Sequence, residues 1–385
     1  MIFEFDRWAS DRPYPNLARW SAQPYTPEWR QFSQHWPFSE PPMLWEYLQD
    51  EQIVQTSDAL PRYLVAVSFF DFSIDWPSLL PSQRLAALRD KRLILIFYYS
   101  EGDHPGRMLD HLYQQFTRAG VDPDQLRLVS ANSQADHLPR AVWLADDELL
   151  YRKRNRKCEP VTWHDRPRTR LFTALVRTHK WWRATIMADF WRRGWHEQGY
   201  FSYNPAIQVG DLELDNPIEV DRWPGLRAAT HEFVKQGFTA DNLSSDQHND
   251  HHLVIPEHYE NSYLNIVIET HMDVDQSGGV FLTEKTFKPI KNAQPFVIFG
   301  AAGSLARLRD LGYRTFDRWI DPAYDRIENT TDRYACIMDT LAGIFSTGHS
   351  GLHDLYCQCR DDIQHNQQHF LGSKHARLNR LLEQI

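Results

Sequence analysis

The feature that most constrains this chain is an alternation beginning at Tyr63, where short apolar runs take turns with stretches of helical spacing. YLVAVSFF (63–70) and RLILIFYY (92–99) are dense in β-branched and aromatic residues over a strand's length, so they read as strands buried on both faces. Ser78 to Asp90 and Met108 to Arg118 carry helical periodicity, and LRLVSAN (126–132) and AVWLA (141–145) follow as further strands. Parallel strands cannot be joined by tight hairpins, so helices between consecutive strands predict right-handed crossovers and a parallel sheet. The first half is therefore expected to be Rossmann-like.

A second series of the same kind starts at RTRLFTALV (168–176). It continues with a long helix through HKWWRATIMADFWRRGW and a strand in YFSYN. After a polar excursion from Asn204 to about Asp250 it resumes as strand SYLNIVIE, helix TEKTFKPIKNA, strand PFVIF, helix GSLARLRDLG and a short strand YRTF. The charged, proline-terminated run YRKRNRKCEP (151–160) breaks the pattern and is the expected linker. The fold class expected is α/β with two Rossmann-like domains, residues 1–160 and 161–345. A helical segment, 346–385, closes the chain and is placed as crossing back to the first domain.

A length of 385 residues suits two domains of ordinary size. Lys and Arg number 42 against 51 Asp and Glu, a net charge of −9, which speaks against a scaffold for long nucleic acid. Four scattered cysteines are too few for a disulfide framework, and the start MIFEFDRWAS carries acids and no apolar core. A cytoplasmic protein is expected, with peripheral attachment to the inner membrane left open and no transmembrane segment.

The chemistry is expected in Asn265 to Leu305, which reads strand, acidic loop, helix, strand, glycine turn, helix. Ligands of open α/β sheets bind outside the carboxyl ends of the strands, which is where Glu269 and the loop after it fall. Thr283, Glu284 and Lys285 open a helix, where unpaired N–H groups and the positive dipole end favour a phosphate. A lysine in that first turn opposes the dipole unless an anion sits nearby. Glu284 is suited to the two hydroxyls of a ribose. Lys288 adds a cation one turn on, and Arg177, Lys180 and Arg183 gather at the start of the preceding long helix.

Glu269, an acidic loop and then Thr283-Glu284-Lys285, with Pro295 opening the next strand, resembles the donor-binding motif of fucosyltransferase-type glycosyltransferases of the GT-B architecture. The match covers about 40 residues strongly and the flanking half weakly. The wider run, FLTEKTFKPI with PF and LGYRTF, resembles a group of bacterial and viral proteins of that type. The resemblance implies two domains in GT-B arrangement and a nucleotide-diphospho-sugar donor. It also implies a lysine on the diphosphate, carried onto Lys285, and a domain that cradles the nucleoside, carried onto Glu284. An arginine after the first donor-domain strand matches Arg177 or Arg183. Glu-Thr here replaces the family's Glu-Asn, and the loop is longer and contains glycine, which leaves sugar and stereochemistry open.

The function expected is transfer of a sugar to an acceptor hydroxyl of a glycan or other biopolymer, with no cofactor beyond the donor. Divalent metal is kept open by Asp273 and Asp275, which have DxD spacing inside the loop. For an inverting reaction the first half should supply a general base, and the candidates at its strand ends are Asp71, Glu101, Asp103 and His104. Asn132 reads as a turn residue, His248, His251 and His252 as a loop, and Cys357 and Cys359 as inert thiols. Two rival readings stand beside this one. One is a non-catalytic nucleotide or sugar binder. The other is a DNA-modifying glycosyltransferase using Arg152, Lys153, Arg154, Arg156 and Lys157, whose plainer reading is an exposed linker.

Overall fold

The computed structural model describes residues 3–4, 43–53, 60–67, 70, 72–102, 104–176, 180–203, 223, 225–237, 254–273 and 277–385. The chain forms two compact α/β units. One is Met1–Leu150 with Asp275–Phe281 and Ser373–Ile385, and the other is Tyr151–Val274 with Leu282–Gly372.

The first unit carries a parallel sheet of β1 (Phe3–Glu4), β2 (Arg62–Val67), β3 (Ile94–Tyr99), β4 (Leu126–Ser130) and β5 (Ala141–Trp143) in sequential order. Its helices are α1 (Met43–Asp50), α2 (Trp76–Leu79), α3 (Ser82–Arg89), α4 (Pro105–Arg118) and α5 (Asp146–Arg154). Successive strand residues point to opposite faces. Tyr63, Val65, Val67, Leu95, Phe97 and Tyr99 therefore pack on Trp76, Leu88, Met108, Leu112 and Phe116. Leu64, Ala66, Ile94, Ile96 and Tyr98 pack on the other side, against Leu44, Leu48, Leu378, Leu381 and Ile385. Burial on both faces is why these strands read as unbroken apolar runs. The helix expected across 78–90 is two helices, because Leu80 is extended and Pro81 starts the second.

The second unit carries β6 (Arg170–Val176), β7 (Gly199–Tyr203), β8 (Ser262–Ile268) and β9 (Phe296–Phe299), all parallel, in the order β7-β6-β8-β9. Its helices are α6 (Trp181–Arg192), α7 (Arg227–Gln236), α8 (Pro256–Glu260), α9 (Glu284–Lys291), α10 (Ser304–Asp310), α11 (Thr330–Ser346), α12 (Gly348–Gln358) and α13 (Arg360–Leu371). Both units are Rossmann-like. No described helix is long and apolar enough to cross a membrane.

Four details depart from the sequence expectation. The division between units falls within α5, at 150/151, because Tyr151 is fully buried against Phe370 of the second unit's α13. The terminal helical segment splits, with α13 in the second unit and the final helix α14 (His375–Gln384) in the first. YRTF is not a strand: the side-chain amide of Asn366 donates to the Arg314 carbonyl and accepts from the Arg314 N–H, at 2.8 Å each, occupying the place of a neighbouring strand. Within the polar excursion, α7 forms by burying Phe233 against Tyr203 and Trp191. His248, His251 and His252 lie outside the described residues.

Candidate functional site

In the second unit β7 lies on one side of β6 and β8 on the other, so the direction of winding reverses between β6 and β8. The loops leaving the carboxyl ends of adjacent strands diverge at such a reversal and leave a crevice, where ligands of open α/β sheets bind. The strands of the first unit run in sequential order with no reversal among those described. The crevice is thus a property of the second unit.

Three cations come together at this reversal. Lys180, at the N-cap of α6, donates from Nζ to the carbonyl of Thr270 just past β8 at 3.0 Å. Arg183, one turn into α6, donates from Nη2 to the Glu269 carbonyl at 3.3 Å and to the Thr270 hydroxyl at 3.5 Å. Lys285, in the first turn of α9, donates from Nζ to the hydroxyls of Thr283 at 3.0 Å and Thr270 at 3.4 Å and to Glu284 Oε1 at 3.1 Å. Among the described residues, these three cations gather beside the carboxylates of Glu269 and Glu284.

The surroundings divide these charges into roles. Arg183 is buried, and that burial lowers its pKa against the pull of Glu269 and Glu284, so it adds positive field from beneath. Lys285 keeps 28% of its side chain exposed and Glu284 10%, so the lysine is the more open of this pair. Lys288 lies one turn further along α9, partly buried.

Glu269 differs from the donor contact expected of it. Its carboxylate is buried and accepts from the Thr283 N–H (3.1 Å), the Thr283 hydroxyl (2.6 Å), the Thr286 hydroxyl (2.5 Å) and the Thr270 N–H (3.2 Å). Four donors on two oxygens leave it little capacity for a ligand. It holds the start of α9 at the end of β8 and so positions Lys285. Thr283 completes the junction by capping Lys285 N.

Sequence reasoning missed three residues that shape this rim. Thr270 and Thr286 flank the motif and were legible as hydroxyls beside it. Arg333 was not: it sits on α11, buried, and donates to the carbonyls of Gly300 (3.0 Å), Ile327 (2.6 Å), Glu328 (2.8 Å) and Met272. It thereby ties the loop after β8 to the loop after β9. The glycine turn at Gly300 to Ser304 does not offer a second anion seat, because the Asp325 carboxylate accepts from Leu305 N (2.8 Å) and Ala306 N (3.0 Å) at the start of α10.

The structure brings together Lys180, Arg183, Glu269, Thr283, Glu284 and Lys285. Glu101, exposed, and His104, at the N-cap of α4, lie in the first unit. Asp71, Asp103, Arg177 and Asp275 lie outside the described residues. Asn132 is a turn residue, donating to the carbonyls of Gly102 (2.7 Å) and Ser277 (2.8 Å) while its Oδ1 accepts from Gln134 N (2.8 Å). Arg152, Lys153 and Arg154 occupy the last turn of α5, where cations offset the dipole. Burial raises the thiol pKa of Cys357 and, more strongly, of Cys359.

No protein-family model, curated protein or solved structure matches the chain.

Proposed function

We propose that this protein is a glycosyltransferase that takes a sugar from a nucleotide-diphospho-sugar, with the donor diphosphate at the β6/β8 crevice. The observation that carries this reading is the convergence of Lys180, Arg183 and Lys285 on Thr270 and Thr283 at the one reversal of strand order among the described strands. In the transfer the acceptor oxygen bonds to the anomeric carbon as the bond from that carbon to the diphosphate oxygen breaks. The acceptor proton passes to a base, and the nucleoside diphosphate leaves with the bonding pair. Negative charge therefore grows on the leaving oxygen, and preorganised cations beside it stabilise the transition state more than the ground state.

In this reading Lys285 and Lys180 contact the diphosphate and Arg183 supplies field. Glu284 meets the ribose hydroxyls. Two Rossmann-like units are the components a GT-B enzyme requires, and Glu101 and His104 are the described candidates for the base. The test is thermal stabilisation by GDP, UDP, CDP and TDP and their common sugars, with and without Mg²⁺, since a ligand that binds only the native state raises apparent stability. A selective shift with one diphosphate supports the proposal and names the base. Absence of any shift removes the donor assignment. Transfer or hydrolysis of the sugar then separates an enzyme from a non-catalytic nucleotide binder.

A further inference from the structure

The first unit carries one exposed phenyl ring, that of Phe72, outside its core cluster. Phe72, in the loop leaving the carboxyl end of β2, is 45% exposed and is the one Phe, Tyr or Trp in the exposed class among the described residues. Single exposed apolar residues are ordinary. Phe72 differs because its ring is held from several sides. Phe70 meets it edge-on at 5.0 Å and His111 at 5.2 Å, while the Arg107 guanidinium lies 5.3 Å from its centroid. Phe70 is in turn stacked on the buried Trp76 at 5.0 Å and 10°.

Ile74 and Trp76, just after Phe72, are tied to Gln115 of α4. Its Oε1 accepts from Trp76 N at 2.9 Å, and its Nε2 donates to the Ile74 carbonyl at 2.7 Å and to His111 Nε2 at 2.9 Å. An exposed ring fixed in this way loses little conformational entropy when something lies on it. Beside it stand two groups that hydrogen-bond at the edge of a bound ring, Arg107 and His111 on α4. An apolar platform with a few polar groups at its rim, at the carboxyl edge of a parallel sheet, matches a sugar ring, whose C–H face is apolar and whose edge is hydroxylated.

We infer that Phe72, framed by Phe70, Arg107 and His111, is a stacking platform for a pyranose ring of the acceptor, and hence that the acceptor is a carbohydrate. This rests on the glycosyltransferase reading for the word acceptor. The ring-binding site itself stands on the first unit alone.

The experiment is saturation-transfer NMR of the full chain with methyl glucosides, galactosides and mannosides in both anomers, at millimolar concentration and without nucleotide. A serine peptide and a single-stranded oligonucleotide serve as probes of the competing acceptor classes. The wild type should show transfer from at least one glycoside, concentrated on ring C–H protons. Phe72→Ala should weaken that glycoside about 3- to 10-fold and Phe72→Trp should preserve it, the range expected from an aromatic contact. Leu60→Ala, an equally exposed apolar residue of the same unit, should leave it unchanged.

Equal signals in wild type and Phe72→Ala, or no transfer from any glycoside, overturn the inference, as does a Phe72-dependent signal from the peptide or oligonucleotide alone. The nucleotide thermal shift is read on the same samples. Its absence from the wild type would sink the donor assignment while leaving the glycoside result to stand or fall by itself.

Discussion

At the scale of single residues, the candidate site sets the part-exposed Lys285 apart from the buried groups around it. Lys285 is part-exposed and, among the described residues, bonds to groups at the start of its own helix and to Thr270. Lys285→Ala should therefore keep the fold and its unfolding midpoint, while affinity for the stabilising nucleoside diphosphate falls by about 1.5 to 3 kcal/mol, the range for hydrogen bonds to charged groups. Calorimetric titration checks this, and unchanged affinity takes Lys285 out of the site. A second residue makes stability depend on pH. Both ring nitrogens of His164 are buried with no hydrogen-bond partner among the described residues, and that burial, with Arg168 and Arg166 nearby, lowers its pKa below the ordinary 6.5. A depressed histidine binds its proton more readily in the unfolded chain, so its contribution is complete above 6.5 and is lost as pH falls through the folded value. His164→Gln should flatten the decline in melting temperature from about pH 7 to pH 5, and parallel curves for the two proteins would refute this.

At the scale of elements, loops here are held by close backbone approaches and by side chains that take up carbonyls. The segment 277–281 joins the first unit: Ser133 N donates to the Val280 carbonyl and Val280 N to the Ser133 hydroxyl, both at 2.9 Å. Gly279 permits this, since a Cβ there would stand 2.4 Å from Asn132 Oδ1 and 2.7 Å from Gln134 N. Backbone lies on one side, so relief requires the segment to move. Gly279→Ala should cost about 1 to 3 kcal/mol in urea unfolding, as overpacking does. Arg333→Met would strip the bonds from the carbonyls of Gly300, Met272, Ile327 and Glu328. With buried acceptors left unpaired it should cost about 3 kcal/mol or more, and hydrogen exchange should quicken first in the loops after β8 and β9. A loss under about 1 kcal/mol would show that those loops hold themselves.

At the scale of the whole molecule, the last 13 residues belong to the unit that begins the chain, as Ser373–Ile385 packs with Met1–Leu150. Leu378, Leu381 and Ile385 complete one face of its sheet, and the buried carboxylate of Glu148 is met by Lys374 Nζ at 2.9 Å and Arg377 Nη1 at 2.5 Å. Ending the chain at Gly372 would expose that face and leave Glu148 buried without these cations, a loss of about 3 to 5 kcal/mol for the broken pair alone. Scanning calorimetry should then show the transition of the first unit lowered, with the second unit's less affected. A uniform fall of both would mean that they unfold as one.

The sequence by itself determined the layers and singled out most of the residues that meet at the β6/β8 reversal. Two α/β series, the positions of β2, β3, β6, β8 and β9, and the start of α9 at Thr283 are written in local periodicity and capping, which depend on residues a few positions apart. Lys180, Arg183 and Lys285 were legible for the same reason, as cations at helix starts after apolar strands. Only the tertiary structure decided the order β7-β6-β8-β9 that reverses the winding at their meeting point, because the β6–β8 pairing joins residues as distant as Arg170 and Ser262 by packing rather than by adjacency. It alone turned Glu269 from a ligand contact into a fourfold acceptor, replaced the YRTF strand by the amide of Asn366, and brought Arg333 to Met272 from 61 residues away. Each of these is a long-range choice by a polar group burying itself with a partner, and local spacing carries no trace of which partner that is.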